Sequence, residues 1–246
     1  MRMSRSLENL ARMEYPGRAL AIGRDLSGAF NIVIYAVTGR SPSSQARRLE
    51  LDANAIWTKP TDPEALRTGN PDLLIYPAVI LSEALAVSNG RQTSDIAARS
   101  GQSPVQVLDA ALKSWEYEPD SPIFTPRISG CILPSGRAGL SLIKRAESGA
   151  SLRFFFEVAL IPGKGKLLTT YTGENKDPLQ PYAGEPLDLG LREPTAQALA
   201  EAVDQALKPQ GREGDFRVAV ACVFAMATNM KDHRIFIINR HEGKRR

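Results

Sequence analysis

The sequence predicts an α+β fold in which antiparallel sheets pack together and are covered by helices. Three observations predict it. Apolar strand-like runs recur along the chain, and short turn signals join neighbours as hairpins. Several of these strands are apolar on both faces, so both faces need a cover. Two further segments repeat apolar residues at helical spacing.

Taken in order, residues 1–14 read as a helical lead-in. Residues 18–23 and 30–37 read as a hairpin around the turn residues of "RDLSG". On its second strand Phe30, Ile32 and Ile34 face one side and Val33, Tyr35 and Val37 the other. After "VTGRSPSSQARR" (Val37–Arg48) an irregular segment runs to about residue 72, punctuated by "TKPTDP". "LLIYPAVI" and "EALAVSNG" read as strands, the second ending in an Asn89-Gly90 turn. Ser103 with Pro104 and Gln106 reads as a capped helix start, followed by Val105, Leu108, Leu112 and Trp115 on one stripe. "RISGCIL" and "AGLSLIK" predict a second hairpin, and "RFFFEVALI" and "KLLTTY" a third around "PGKG". Residues 172–193 are rich in Pro and Gly and read as an extended loop. "PTAQALAEAVDQAL" is an amphipathic helix with Ala196, Leu199 and Val203 on one face. "FRVAVACVFAMA" and "RIFIIN" predict a last hairpin.

The chain has 246 residues, 43% hydrophobic and 24% charged, with a formal net charge of +4. This is an ordinary globular mix, read as one domain over residues 1–246 with a basic tail at 240–246. Cys131 and Cys222 stand in apolar strands outside any metal or redox spacing, which suits a reduced, cytoplasmic setting. No apolar run is long enough to span a membrane. The excess charge comes without a basic helix, aromatic ribbon or zinc pattern, so a nucleic-acid partner is not expected. It equally suits a small phosphorylated substrate.

The common catalytic signatures are absent: no P-loop, GxGxxG, HExxH or GxSxG. His233 and His241 are the only histidines, both near the C-terminus, so neither a histidine triad nor a histidine metal site is expected. An enzyme built from what remains works with Arg, Glu, Tyr, Lys and backbone dipoles, through orientation and charge stabilisation.

Four polar clusters stand where strands end: "YPGR…IGR", "TGRSPSSQARR", "NPDLLIYP…SNGRQTSD" and "WEYEPDSPIFTPR". Arginines beside hydroxyls and turn amides suit a phosphate or carboxylate, although each cluster alone also reads as a solvated loop. Glu118 could act as an acid or base, or be a surface acid. Tyr76 could be a core-edge tyrosine.

In this order the four clusters resemble the archaeal-type IMP cyclohydrolase family over about residues 15–145, and more weakly to the last strands. The resemblance implies a four-layer αββα sandwich like that of the N-terminal nucleophile hydrolases, without the N-terminal nucleophile. It implies dehydrative closure of 5-formamidoimidazole-4-carboxamide ribotide to inosine monophosphate, with no metal or cofactor. Carried over by motif, Arg47, Tyr76 and Glu118 would be catalytic; Arg48 could replace Arg47, because the spacing from Arg40 is longer than in the family. Arg18, Arg40, Ser41, Asn89 and Arg91 would hold the purine ribonucleotide monophosphate. A homo-oligomer is expected. Another nucleotide- or amide-directed hydrolase on the same fold, or a non-catalytic nucleotide-binding protein, remains the alternative.

Overall fold

A computed structural model describes residues 7–61, 74–209 and 214–241. Two antiparallel sheets form its centre. The first runs β11-β10-β1-β2-β12-β13 and the second β3-β4-β5-β6-β7-β8-β9. In the first, β1 (Arg18–Arg24), β2 (Phe30–Thr38) and β12 (Arg217–Met226) form the middle. β10 (Lys164–Thr169), β11 (Leu187–Gly190) and β13 (Asn229–Asn239) flank them. The second sheet is built from β3 (Arg47–Asp52), β4 (Ala55–Pro60), β5 (Tyr76–Leu81) and β6 (Leu85–Ser88). β7 (Arg127–Ile132), β8 (Ala138–Arg145) and β9 (Ser151–Val158) complete it.

Alternation along the strands makes three apolar layers. Val33, Tyr35 and Val37 of β2 join Val79, Val87, Ile128 and Leu140 in the core between the sheets. Ile32 and Ile34 point the other way, beneath α1 (Glu8–Ala11) and α5 (Ala196–Ala206). The outer face of the second sheet packs Ala86, Cys131 and Ile143 against α3 (Gln92–Ala97) and α4 (Pro104–Leu112). The α+β expectation therefore holds: two antiparallel sheets lie face to face, with helices outside each. No described helix is long and apolar enough to cross a membrane. Both cysteines are free and buried, and burial pushes the Cys131 thiol up to about 12.

Several expectations need correction. The stretch read as irregular contains most of β3 and all of β4, and the motif before it contains the short helix α2 (Pro42–Gln45); residues 62–73 lie outside the described residues. In "RRLELD" Arg47 and Leu49 are buried while Arg48 and Glu50 are only half-buried, so half of each alternating pair looks like loop chemistry. The third hairpin does not form. β9 pairs with β8 and β10 with β1, so "ALIPGKG" carries the chain from one sheet to the other. β11 lies inside the stretch read as an extended loop. The helix after Ser103 has no side-chain cap, and it buries Pro104, Val107, Leu108, Ala111 and Leu112 rather than Val105. Of the N-terminal lead-in, only Glu8–Ala11 is helical among the described residues.

Candidate active site

The polar clusters converge because antiparallel strands bring alternate ends together. β1 starts with Arg18 where β2 finishes, and Arg18 lies opposite Val37. In the facing sheet β5 starts with Tyr76, β6 runs out into Asn89, and β7 starts with Arg127. Gly17 fits the chain into this junction. Its φ is +72°, and a Cβ there would lie 2.1 Å from the Thr170 hydroxyl.

Glu118 occupies the centre, in the loop after α4, and is only 3% exposed. Its backbone N–H donates to Thr125 O at 2.8 Å. Arg18 Nη2 donates to both carboxylate oxygens, at 2.6 Å to Oε1 and 2.7 Å to Oε2. Asn89 Nδ2 donates to Oε1 at 2.9 Å and to Pro126 O at 2.9 Å. Asn89 is itself fixed: its Oδ1 accepts from Ile128 N at 2.8 Å and from Gln92 Nε2 at 3.3 Å. Arg127 extends the network, donating to Gln92 Oε1 at 3.1 Å and to Glu116 O at 2.7 Å.

Burial pushes the Glu118 carboxyl above its ordinary value, against the pull of Arg18. For Arg18, burial disfavours the charge, but Glu118 and the nearby tyrosines hold the guanidinium well above its ordinary value. Arg18 Nε is buried and has no hydrogen-bond partner among the described residues. The pair is thus an acid with raised proton affinity beside a cation that stays charged.

A second polar pair lies between the sheets. The hydroxyls of Tyr35 and Tyr76 are 2.8 Å apart and neither residue has any exposure. Burial, then the neighbouring Tyr76, pushes the Tyr35 phenol well up, while Arg18 and Arg47 pull it down. Arg18 therefore couples electrostatically to both the carboxylate and the tyrosine pair. On the other side Tyr171 bonds to the Thr125 hydroxyl at 2.6 Å, and burial pushes its phenol up to about 12.

Arg47 is 4% exposed and its Nε donates to Ser44 O at 2.9 Å. Strand alternation separates it from Arg48, which pairs with Glu50 at 2.7 Å on the other face. Arg40 lies further out. It donates to Asp177 at 2.9 Å and Asn175 at 3.2 Å, and stacks over Tyr15. Ser41 caps α2 by accepting from Ser44 N. Arg91 is exposed at the N-cap of α3. The structure thus brings Arg18, Asn89 and Glu118 into one hydrogen-bonded group with Tyr76 and Arg47 coupled to it through the tyrosine pair, while the contacts of Arg40 and Ser41 lie with Asp177, Asn175, Tyr15 and the start of α2. No group of three metal-ligating side chains occurs among the described residues.

The chain matches the family described as IMP cyclohydrolase-like protein over residues 15–226. The chain belongs to that family. It is also 32% identical over 178 residues to the IMP cyclohydrolase of Methanopyrus kandleri, covering 68% of this chain and 85% of that protein. Family and relative together support the expected function, an IMP cyclohydrolase.

In this cyclohydrolase-family chain the sequence reading missed Tyr35, Gln92, Arg127 and Tyr171. Tyr35 sits in the apolar run "FNIVIYAV" and reads as packing. The available signal was its hydroxyl: a tyrosine in a strand covered on both faces needs a buried polar partner. Gln92 and Arg127 lie inside the quoted motifs, but only the fold shows that they hold Asn89 from behind.

Proposed function

We propose that this chain closes 5-formamidoimidazole-4-carboxamide ribotide to inosine monophosphate with loss of water. Beside family membership, one observation carries the reading. The Glu118 carboxylate is buried among fixed donors, yet among the described residues Oε2 accepts only from Arg18 and keeps room for a proton.

The carboxamide nitrogen bonds to the formyl carbon as Glu118 takes one of its protons. The formyl oxygen takes a proton from Tyr76 and becomes a hydroxyl, while Arg18 and Arg47 stabilise the developing oxyanion. The hydroxyl then leaves as water with the proton from Glu118. The former formamide nitrogen returns its proton to Tyr76 as its double bond to the ring carbon forms. Protons balance and both groups are regenerated, with no metal or cofactor in any step. Arg18 and Asn89 act on the substrate beside Glu118. Arg40, Ser41 and Arg91 hold the phosphate of the purine ribonucleotide.

The two face-to-face antiparallel sheets within helices also support a single domain like the N-terminal nucleophile hydrolases, here without their nucleophile. A homo-oligomer in the cytoplasm fits the reading.

Purified protein is expected to turn the formamido ribotide into inosine monophosphate without added metal, followed by absorbance. Absence of turnover would sink the reading; tight binding of the product without turnover would favour a non-catalytic nucleotide-binding protein. The arginines give a sharper check. Arg47→Ala is expected to lower kcat by about 10²-fold, as loss of an oxyanion donor does. Arg48→Ala is expected to leave kcat nearly unchanged, since its half-exposed pair with Glu50 is worth at most about 1 kcal/mol. The reverse pattern would move the role to Arg48.

A further inference from the structure

Among the described strands β9 is an outer one, hydrogen-bonded only to β8, with no register shift along that ladder. Such an edge offers a row of unpaired N–H and C=O groups, which proteins usually guard with proline, lysine or a bulge. The sequence of β9, "SLRFFFEV", has none of these guards. Instead Leu152 and Phe154 are 42% and 38% exposed, and Ile161 in the following turn is 47% exposed. The other outer strands differ. β11 has only four residues, β13 exposes Lys231, Asp232 and Arg234, and four of the six residues of β3 are charged, whereas β9 has two charges, Arg153 and Glu157, the latter also paired with Arg137 of its own chain.

The charges on β9 are symmetric about Phe155, with Arg153 two residues before it and Glu157 two residues after. We propose that β9 pairs antiparallel with β9 of a second copy of this chain, on a two-fold axis through Phe155. In that register Arg153 of each copy faces Glu157 of the other, and Phe154 faces Phe156. One axis makes both contacts twice, as a two-fold interface requires. Opposite charges and aromatic pairs directly across strands are the favourable cross-strand combinations. Each sheet then continues into the other, which satisfies the edge and covers Leu152 and Phe154. The proposal specifies the interface of the homo-oligomer proposed above and does not depend on the catalytic assignment.

Light scattering after gel filtration tests it. The wild-type protein is expected at a multiple of the 26.8 kDa chain mass, and a single-chain mass would overturn any self-association. Phe154→Lys and Glu157→Arg are each expected to lower the assembly mass. Arg153→Glu combined with Glu157→Arg is expected to restore it, because the swap re-creates complementarity. Phe155→Cys is expected to cross-link two chains on mild oxidation, since residues on the axis come within disulfide reach and both native cysteines are buried. An assembly that ignores the charge variants, or that fails to cross-link at position 155, would place the interface elsewhere. Circular dichroism distinguishes misfolding from dissociation, and the cross-link gives an answer without any charge change.

Discussion

Replacing Glu118 by glutamine is expected to lower kcat by about 10²–10⁴-fold, the range for loss of a positioned acid–base group. Substrate affinity should change far less, because Arg18 and Asn89 remain. Two consequences separate this from simple damage. The variant leaves Arg18 buried beside a neutral partner, and removing one member of a buried pair costs about 3–5 kcal/mol. Urea unfolding should find a loss near the low end, since the glutamine carbonyl still accepts a hydrogen bond. The double change Arg18→Met with Glu118→Leu is expected to recover much of that stability, as apolar replacements of buried pairs often do, and to recover no turnover. The pH profile gives an independent reading. The first step needs the carboxylate, so activity rises as pH passes through the Glu118 titration. Burial puts that limb above the ordinary carboxylate value. The limb should vanish in Glu118→Gln. Near-wild-type turnover in that variant would remove Glu118 from the chemistry.

Tyr76→Phe is expected to reduce kcat by about 10²-fold with little change in KM, because a phenol in the proton path acts in the transition state. Removing one hydroxyl leaves the Tyr35 hydroxyl buried without its 2.8 Å partner, at a cost of about 1–3 kcal/mol. Tyr35→Phe carries the same stability cost, yet its expected effect on kcat is smaller, since it positions Tyr76 rather than meeting the substrate. Rapid-quench turnover with parallel thermal melts separates the two. Equal kcat losses would mean that the pair acts as one unit, and an unchanged kcat in Tyr76→Phe would confine both tyrosines to packing.

Much of the site was legible because its residues stand in dense local motifs. "YPGR", "SNGRQT" and "YEPD" carry Arg18, Asn89 and Glu118, which the fold joins by direct hydrogen bonds. Arg40 and Ser41 came from an equally dense motif, but they bond to Asp177, Asn175 and the α2 backbone. A motif records which residue types travel together, not which of them share a hydrogen bond. Tyr35 shows the converse: its strand implies that the hydroxyl needs a buried partner, but that partner is one atom of a strand 41 residues away.

By itself the sequence determined the strand and helix periods, the first and last hairpins, the two-sided burial of β2 and the family. These depend on spacing within a few residues, where side-chain direction follows from backbone geometry. Only the tertiary structure decided that β9 and β10 belong to different sheets, that "RRLELD" is a strand with Arg47 inward, and that Arg18 and Asn89 converge on Glu118. Each of these is a choice of partner across long sequence separations. Such choices are set by which faces can be buried together, and no short stretch of chain carries that information.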